Sequence, residues 1–299
     1  MRALFAVVFA FGLLVGAPAY ADKEADAYYK EGLAYKMEGK VDQAIGSLEK
    51  AVAKNPQHGM AWASLGALYK QKKDLPKSIS AYESATKVIT KDKTLWRNLG
   101  TAYANNSQND KARDALTTAS KLDPKDAEIH ALLGTVRRKL NDNKGAITEL
   151  EQAVKIKADE GEWWHSLGVA YRFDNRIDDA IKAYEKAIEI SPNESRYHFD
   201  AGAAWRRKDD PEKAIPHYEK ATELDPTFSE GWFDLGFMYK RNHENDKAIA
   251  AWQKYLELNK GKDAEGGKRI EEEMTSIGGT PKKETPKKPA PKKAAPKKK

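Results

Sequence analysis

A glycine recurs every 34 residues through most of this chain, without an insertion. The seven copies are Gly32, Gly66, Gly100, Gly134, Gly168, Gly202 and Gly236. A tyrosine follows three residues later in five of them: Tyr35, Tyr69, Tyr103, Tyr171 and Tyr239. A period of this length indicates a unit of supersecondary structure that buries its apolar face on its neighbours. The chain is therefore expected to be a linear array of repeats.

The stretch 161–194 shows what one repeat is expected to fold into. Its first half carries large and small residues at the spacing of one helix face: Trp164, Leu167, Gly168 and Tyr171. Its second half carries a second such face: Ala180, Tyr184 and Ala187. Asp174 and Asn175 separate the two halves, and Pro192 closes the second. These spacings predict a first helix, a tight turn and a second helix running back.

This pattern resembles the tetratricopeptide repeat family, whose signature is Trp, Leu-Gly, Tyr, Ala, an aromatic, Ala and Pro at these spacings. The resemblance implies an all-α fold, a right-handed α-solenoid of seven helix pairs that binds other proteins or peptides. The repeats are expected within residues 22–262, with starts at 25, 59, 93, 127, 161, 195 and 229. Residues 263–279 carry an apolar stripe, Ile270, Met274 and Ile277, and are expected to form a C-terminal capping helix.

The repeats are unequal, and the fourth departs most from the pattern. His130 stands at its aromatic position, Arg137 at its Tyr position and Ala158 at its Pro position. The third repeat carries Arg113 where the other six have Ile. Two interpretations are open. Either the array tolerates these residues locally, with arginine stems lying over apolar surface, or this region is a soft joint or a partner contact.

Residues 1–21 have the character of a secretory signal peptide. Arg2 precedes an apolar run that is too short for a membrane span, and Ala19-Tyr20-Ala21 offers a small-x-small cleavage site. The alternative is an uncleaved anchor. The chain contains no cysteine, so lipoprotein processing is excluded and an oxidising compartment poses no difficulty. We therefore expect export, to a bacterial periplasm, with cleavage after Ala21.

The C-terminal segment, residues 280–299, holds nine Lys, five Pro and a single Glu. This composition predicts a disordered, extended tail. Its net charge of +8 exceeds the +7 of the whole chain, so the basic character of the protein resides in the tail. We expect the tail lysines to contact a polyanion: Lys282, Lys283, Lys287, Lys288, Lys292, Lys293, Lys297, Lys298 and Lys299.

The sequence offers no catalytic or metal-binding constellation. None of the six histidines has ligand spacing, and no nucleophile elbow, cysteine nucleophile or glycine-rich phosphate loop is present. Two of the histidines, His130 and His198, occupy aromatic core positions, so packing explains them better than metal binding. We expect no enzymatic activity and no cofactor.

A second face of the first helices is the candidate binding surface. In the fifth repeat it comprises Glu162, His165, Val169 and Arg172, turned roughly 130° from the core stripe. The position of Arg172 is basic in six of seven repeats. In the tetratricopeptide repeat family this face lines the concave groove, as the resemblance implies. The candidate groove residues are Arg138, Lys139, His165, Arg172, Phe173, Phe199, Arg206, Arg207, Phe233, Phe237, Lys240 and Arg241.

Two interpretations of the basic positions remain open at this point. Arginine forks and phenylalanines suit an acidic or carboxylate-bearing peptide. Alternatively, Lys and Arg at the ends of these helices only complement the helix dipoles. The sequence predicts an interaction scaffold of the cell envelope, with self-association as a further possibility. The alternative function is a polyanion-binding protein that acts through its tail on lipopolysaccharide, wall polymer or nucleic acid, and export argues against chromosomal DNA.

Overall fold

A computed structural model of the protein describes residues 17–280. Most of the predicted signal peptide and the nine tail lysines lie outside the described residues. Within residues 17–280 the chain forms fifteen α-helices and no strand. None of these helices has the length and apolar character that crossing a membrane requires. The chain divides into two compact units, unit 1 ending at Asp174 and unit 2 beginning at Asn175.

Unit 1 contains four helix pairs and the first helix of the fifth repeat. The helices are α1 (Ala17–Met37), α2 (Val41–Lys54), α3 (Gly59–Gln71), α4 (Leu75–Val88), α5 (Lys93–Asn105), α6 (Asn109–Leu122), α7 (Ala127–Lys139), α8 (Asn143–Ile156) and α9 (Gly161–Phe173). Each odd-numbered helix from α1 to α7 packs most closely on the helix that follows it, and each pair also packs on the next.

Unit 2 contains the second helix of the fifth repeat, two further pairs and a last helix. The helices are α10 (Ile177–Ile190), α11 (Ser195–Arg207), α12 (Pro211–Leu224), α13 (Ser229–Arg241), α14 (Asn245–Asn259) and α15 (Ala264–Ser276). Helix α11 pairs with α12, and α13 pairs with α14. The predicted all-α array of helix pairs with a C-terminal capping helix is therefore confirmed.

The recurring glycine marks the closest approach of the two helices of a pair. In unit 1 a Cβ at Gly66 would lie 2.7 Å from ring atoms of Tyr82, which is buried. In unit 2 a Cβ at Gly236 would lie 2.2 Å from Nε1 of Trp252, which is fully buried. A side chain larger than hydrogen at this position would displace the largest side chain of the second helix. The 34-residue glycine period therefore has a steric cause.

The residue at the aromatic position of the first helix makes a hydrogen bond to the backbone just before that helix. The indole nitrogen of Trp62 donates to the carbonyl of Pro56 at 2.9 Å, and Trp96, Trp164 and Trp232 donate to the carbonyl six residues earlier in the same way. His130 and His198 are buried at this position, and Nε2 of each lies 3.0 and 2.9 Å from the corresponding carbonyl. The prediction that these histidines serve packing is confirmed.

The tyrosine of the first helix bonds to the preceding repeat. The hydroxyl of Tyr69 donates to Glu49 at 2.5 Å, and Tyr171 donates to Glu151 at 2.6 Å. Tyr103 and Tyr239 make the same bond to a glutamate twenty residues earlier. Burial, assisted by that carboxylate, raises the pKa of Tyr69, Tyr103 and Tyr239 above the usual tyrosine value.

The irregular fourth repeat has a polar network in place of these bonds. Arg137, at the Tyr position, pairs with Asp142 at 2.7 Å. Its guanidinium also approaches Glu149, whose other carboxyl oxygen lies 2.7 Å from Nδ1 of His130. The polar substitutions therefore pair with one another, although Nε of Arg137 is buried without a hydrogen-bond partner among the described residues, and α7 and α8 pack as closely as the other pairs of unit 1. This favours local tolerance over a soft joint.

Helix α15 closes the apolar end of α14. Ile270 and Met274 are fully buried in the core of unit 2, and Ile277 packs at its edge. Asp263 caps the helix by accepting from the backbone of Gly266 at 2.9 Å, and it also accepts from the hydroxyl of Tyr255 at 2.8 Å. The apolar stripe predicted for the cap therefore faces the core.

Candidate functional site

Four of the five candidate residues of unit 1 lie at the ends of α7 and α9, two first helices that contact each other. Arg138 and Lys139 end α7, and Arg172 and Phe173 end α9. Among the described residues, neither arginine nor Lys139 forms an ion pair. His165 is half-buried two turns earlier on α9. This part of the first-helix face therefore carries three cations that no carboxylate of the described chain neutralises.

An arginine–phenylalanine stack lies at the end of α9. The guanidinium carbon of Arg172 lies 4.9 Å from the ring centroid of Phe173. Phe173 is 56% exposed, although a large apolar side chain is normally covered. Stacking on a ring holds the guanidinium in place and leaves the edge formed by its two Nη groups for a partner, whereas Nε of Arg172 is buried without a hydrogen-bond partner among the described residues. The pair offers a partner one apolar surface and one fork of donors.

Arg206 holds in unit 2 the repeat position that Arg172 holds in unit 1, and it forms an ion pair with Asp234. Its Nη1 donates to the Asp234 carboxylate at 2.5 Å, and the Tyr218 hydroxyl lies 3.4 Å from the other carboxyl oxygen. Burial raises the pKa of Asp234, and the charge of Arg206 opposes that rise. Because Asp234 is buried and Arg206 is about two-fifths exposed, the carboxylate anchors an arginine whose remaining donors face outward.

The other candidate cations of unit 2 also have partners. Lys240 donates to Glu273 at 2.5 Å and to the hydroxyl of Ser276 at 3.0 Å, both on α15. Arg207 approaches Asn175 at 3.4 Å, and Arg241 pairs with Asp209. Asn175 and Asp209 are the residues with positive φ in the turns of the preceding repeats. These cations join neighbouring elements of unit 2, a role that the spacing alone did not indicate.

The candidate phenylalanines of unit 2 form part of an aromatic cluster. Phe199 packs edge-on against Tyr218 and Phe228, at centroid distances of 5.5 and 4.8 Å. Phe233 and Phe237 lie 5.0 Å apart, and both are partly buried. Each ring therefore packs against the core of unit 2 on one side and remains partly accessible at the surface on the other.

Arg269 on α15 is a site residue that the sequence pattern missed. Its guanidinium lies 4.7 Å from the ring centroid of Phe237 and 5.7 Å from that of Phe233. In the sequence it stands among the polar residues between the apolar positions of the cap. Only the packing of α15 shows that it reaches the rings of α13.

Unit 2 also has a cleft between α12, α13 and α14, apart from the candidate residues described above. It is a cleft of about 520 Å³ with Trp232, Leu235 and Ala251 in its lining. Its two lysines, Lys247 and Lys254, are paired with Glu244 and Glu257. Its two carboxylates, Glu219 and Glu223, accept from Tyr239 and Lys220, so each charged residue of the lining has a partner within unit 2.

The described residues contain no cluster of three or more side chains able to hold a metal ion. The helix pairs, the 34-residue period and the surface made by the first helices together define a helical repeat protein. Comparison with known proteins gives the class.

Residues 12–199 match the family model described as the C-terminal domain of cilia and flagella-associated protein 70. Residues 195–228 and 217–250 match two models described as tetratricopeptide repeat. The chain therefore belongs to the tetratricopeptide repeat family. Folds of this family serve protein–protein interaction. The comparison with curated proteins returns no match.

Several solved structures share this fold. The crystal structure of MamA is 25% identical, with a TM-score of 0.54, covering 57% of this chain and 94% of that one. YrrB, titled a TPR protein with an unusual peptide-binding site, is 21% identical, with a TM-score of 0.56 and coverages of 62% and 95%. A tetratricopeptide repeat protein from Parabacteroides merdae is 15% identical, with a TM-score of 0.58 and coverages of 85% and 99%.

Proposed function

We propose that this protein is an interaction scaffold of the cell envelope that binds an acidic segment of a partner protein on its first-helix face. The observation that carries the proposal is a set of three cations on two contacting helices, Arg138, Lys139 and Arg172, which form no ion pair within the described chain. Arg172 is stacked on the exposed ring of Phe173. Tetratricopeptide repeat proteins generally act as scaffolds without catalysis, and we propose the same for this chain.

The chemistry of this surface favours carboxylates. Arginine offers planar pairs of donors that match a carboxylate, and the stacked Arg172 has lost part of its freedom before binding. The end of a helix also favours cations, so the residues stabilise α7 and α9 whether or not a partner is present. Stabilising a helix end and binding a partner are compatible roles. A cation at a helix end still has N–H groups that point to solvent and can donate to a partner's carboxylate.

The first test uses charge reversal in unit 1. We expect the double variant Arg138→Glu, Arg172→Glu to bind a fluorescein-labelled decaglutamate peptide at least about tenfold more weakly than the unchanged sequence, both measured on the mature chain ended at Gly279, because the tail lysines would themselves bind this polyanion. Fluorescence anisotropy at low and near-physiological salt measures the affinity. Neither residue makes an ion pair within the described chain, so helicity should be kept, and the melting temperature should fall only modestly, because a charge at a helix end contributes about 0.3–1 kcal/mol.

A matched control separates the effect of losing the proposed site from the effect of changing the net charge of the protein. Lys121→Glu, Lys155→Glu makes the same change in charge on exposed positions of α6 and α8, the second helices. We expect this control to lose less than about twofold, because exposed charges at a distance are screened. Equal losses in both double variants would show that only overall charge matters and would overturn the proposed surface.

We further propose that the protein is exported and that its tail tethers it to an anionic envelope component. The support is the signal-like sequence of residues 1–21 and the lysine–proline composition of residues 280–299. Several lysines near an anionic surface each contribute up to about 1 kcal/mol, and salt weakens the sum steeply. The alternative function, a polyanion-binding protein that acts mainly through this tail, rests on the same composition.

The mature protein, which N-terminal sequencing should show to begin at Asp22, is expected to bind anionic phospholipid vesicles at low salt. The same chain ended at Gly279 should lose this binding and keep the melting temperature of the full mature chain. Vesicle co-sedimentation at two salt concentrations checks both. Equal binding by the two chains would place the polyanion site in the helical repeats, and an N-terminus at Met1 in a cytosolic protein would contradict export.

A further inference from the structure

Arg269 occupies an unusual electrostatic position in unit 2. Three carboxylates of α15 stand one helical turn away: Glu265, Glu272 and Glu273. Glu272 pairs with Lys268 and Glu273 with Lys240, while Arg269 forms no ion pair among the described residues. The guanidinium instead lies over the rings of Phe233 and Phe237.

Two of the neighbouring cations are matched by carboxylates, whereas neither Arg269 nor Glu265, one turn away, forms an ion pair among the described residues. Arg206 is matched by Asp234, and Lys240 is matched by Glu273. Asp234 also senses Arg269, which helps to oppose the pKa rise that burial gives this carboxyl. Asp234 is buried, so it cannot take a partner from solution, whereas Arg269 is exposed.

We propose that Arg269, seated on Phe233 and Phe237, is the anchor for a carboxylate of the bound partner peptide, with Arg206 beside it as a second donor. The proposal rests on the proposed function and names the recognition chemistry on the first-helix face of unit 2. The capping helix then has two roles: it covers the apolar end of α14, and it supplies the cation that binds the partner.

The physical reason lies in how the guanidinium is held. A guanidinium stacked on an aromatic face keeps its edge free for two parallel N–H bonds to a carboxylate. The two rings restrict its rotamers before binding, so less conformational entropy is lost when the partner arrives. Partly exposed phenylalanines also offer apolar surface beside the charge, which suits an acidic residue followed by an apolar one.

The test measures the same decaglutamate peptide, amidated at its C-terminus so that only side-chain carboxylates are present. We expect Arg269→Gln to lower its affinity about tenfold, and Arg269→Lys to lower it nearly as far, because lysine keeps the charge and loses the fork. The control Lys268→Gln removes an equal charge from the neighbouring exposed position and should cost less than about twofold.

A direct readout follows the arginine itself. In a titration of the unchanged, full mature protein with the peptide, the Nε–Hε signal that disappears in Arg269→Lys should shift. Lack of that shift, or equal losses in Arg269→Gln and Lys268→Gln, would overturn the assignment even if a variant altered the packing of α15. If the unit 1 double variant weakens binding and the Arg269 variants do not, the proposed function stands and this site is wrong.

Discussion

Replacement of Gly236 by alanine should lower the free energy of unfolding of unit 2 by about 1–3 kcal/mol, the usual range for overpacking a core, or by more. A Cβ there would lie 2.2 Å from Nε1 and 2.3 Å from Cδ1 of Trp252. Trp252 is fully buried, packs edge-on against Phe237 at 5.1 Å and donates to the carbonyl of Phe233 at 3.3 Å. The ring is therefore held by core packing and by a hydrogen bond, both of which a displacement would disturb.

A matched alanine substitution should have the opposite sign. Gly46 lies inside α2, and a Cβ at this position would meet nothing within 4 Å. Gly46→Ala should raise stability by about 0.5–1 kcal/mol, because glycine inside a helix loses more conformational entropy than alanine. Urea unfolding followed by far-UV circular dichroism measures both variants.

A double-mutant cycle identifies the cause of the loss. Leucine fills the position of Trp252 in three pairs of unit 1, so Trp252→Leu is a substitution that the repeat accepts elsewhere. In the presence of Trp252→Leu, Gly236→Ala should cost at least about 1 kcal/mol less than it does alone. Additive effects would show that the loss does not arise mainly from the contact of the new methyl group with Trp252.

The architecture could be predicted from the sequence because the 34-residue glycine period arises from the contact between the two helices of each pair. Small residues recur at one position since each helix pair meets there, and the first helices of repeats two to seven begin at the residues that the period marks as starts. The structural role of His130 and His198 could also be predicted from the sequence. At the aromatic position an imidazole N–H can replace the indole N–H that donates to the preceding carbonyl.

The binding face was less predictable, for a physical reason. A helical period shows which direction a side chain takes from its own helix, but not which residue of the next repeat it meets. The spacing alone treated Arg172 and Arg206 as equivalent, yet Arg206 is fixed by the buried Asp234 of the following repeat. Lys240 is bound by α15, and Arg269 reaches rings on α13, interactions that no repeat position encodes.

The repeat position of Gly46 is occupied by a proline in the sixth repeat, and its replacement should strongly stabilise the protein. Pro216 lies inside α12 and its side chain is exposed. It lacks the N–H that would bond to the carbonyl of Glu212, and its ring crowds that carbonyl. A helix-interior proline costs ~3 kcal/mol relative to alanine, and up to ~1 kcal/mol of this is recovered through the stiffer unfolded chain.

We therefore expect Pro216→Ala to raise the free energy of unfolding by about 2 kcal/mol, the difference between those two effects. Lys182→Ala is the matched control, because Lys182 is the exposed residue at the same position of α10, and it should change stability by no more than about 0.5 kcal/mol. Urea midpoints of both variants give the comparison, and amide hydrogen exchange in α12 should slow only in Pro216→Ala. An unchanged or lower midpoint would mean that the proline ring contributes to the packing of α12 in unit 2 more than its missing hydrogen bond costs.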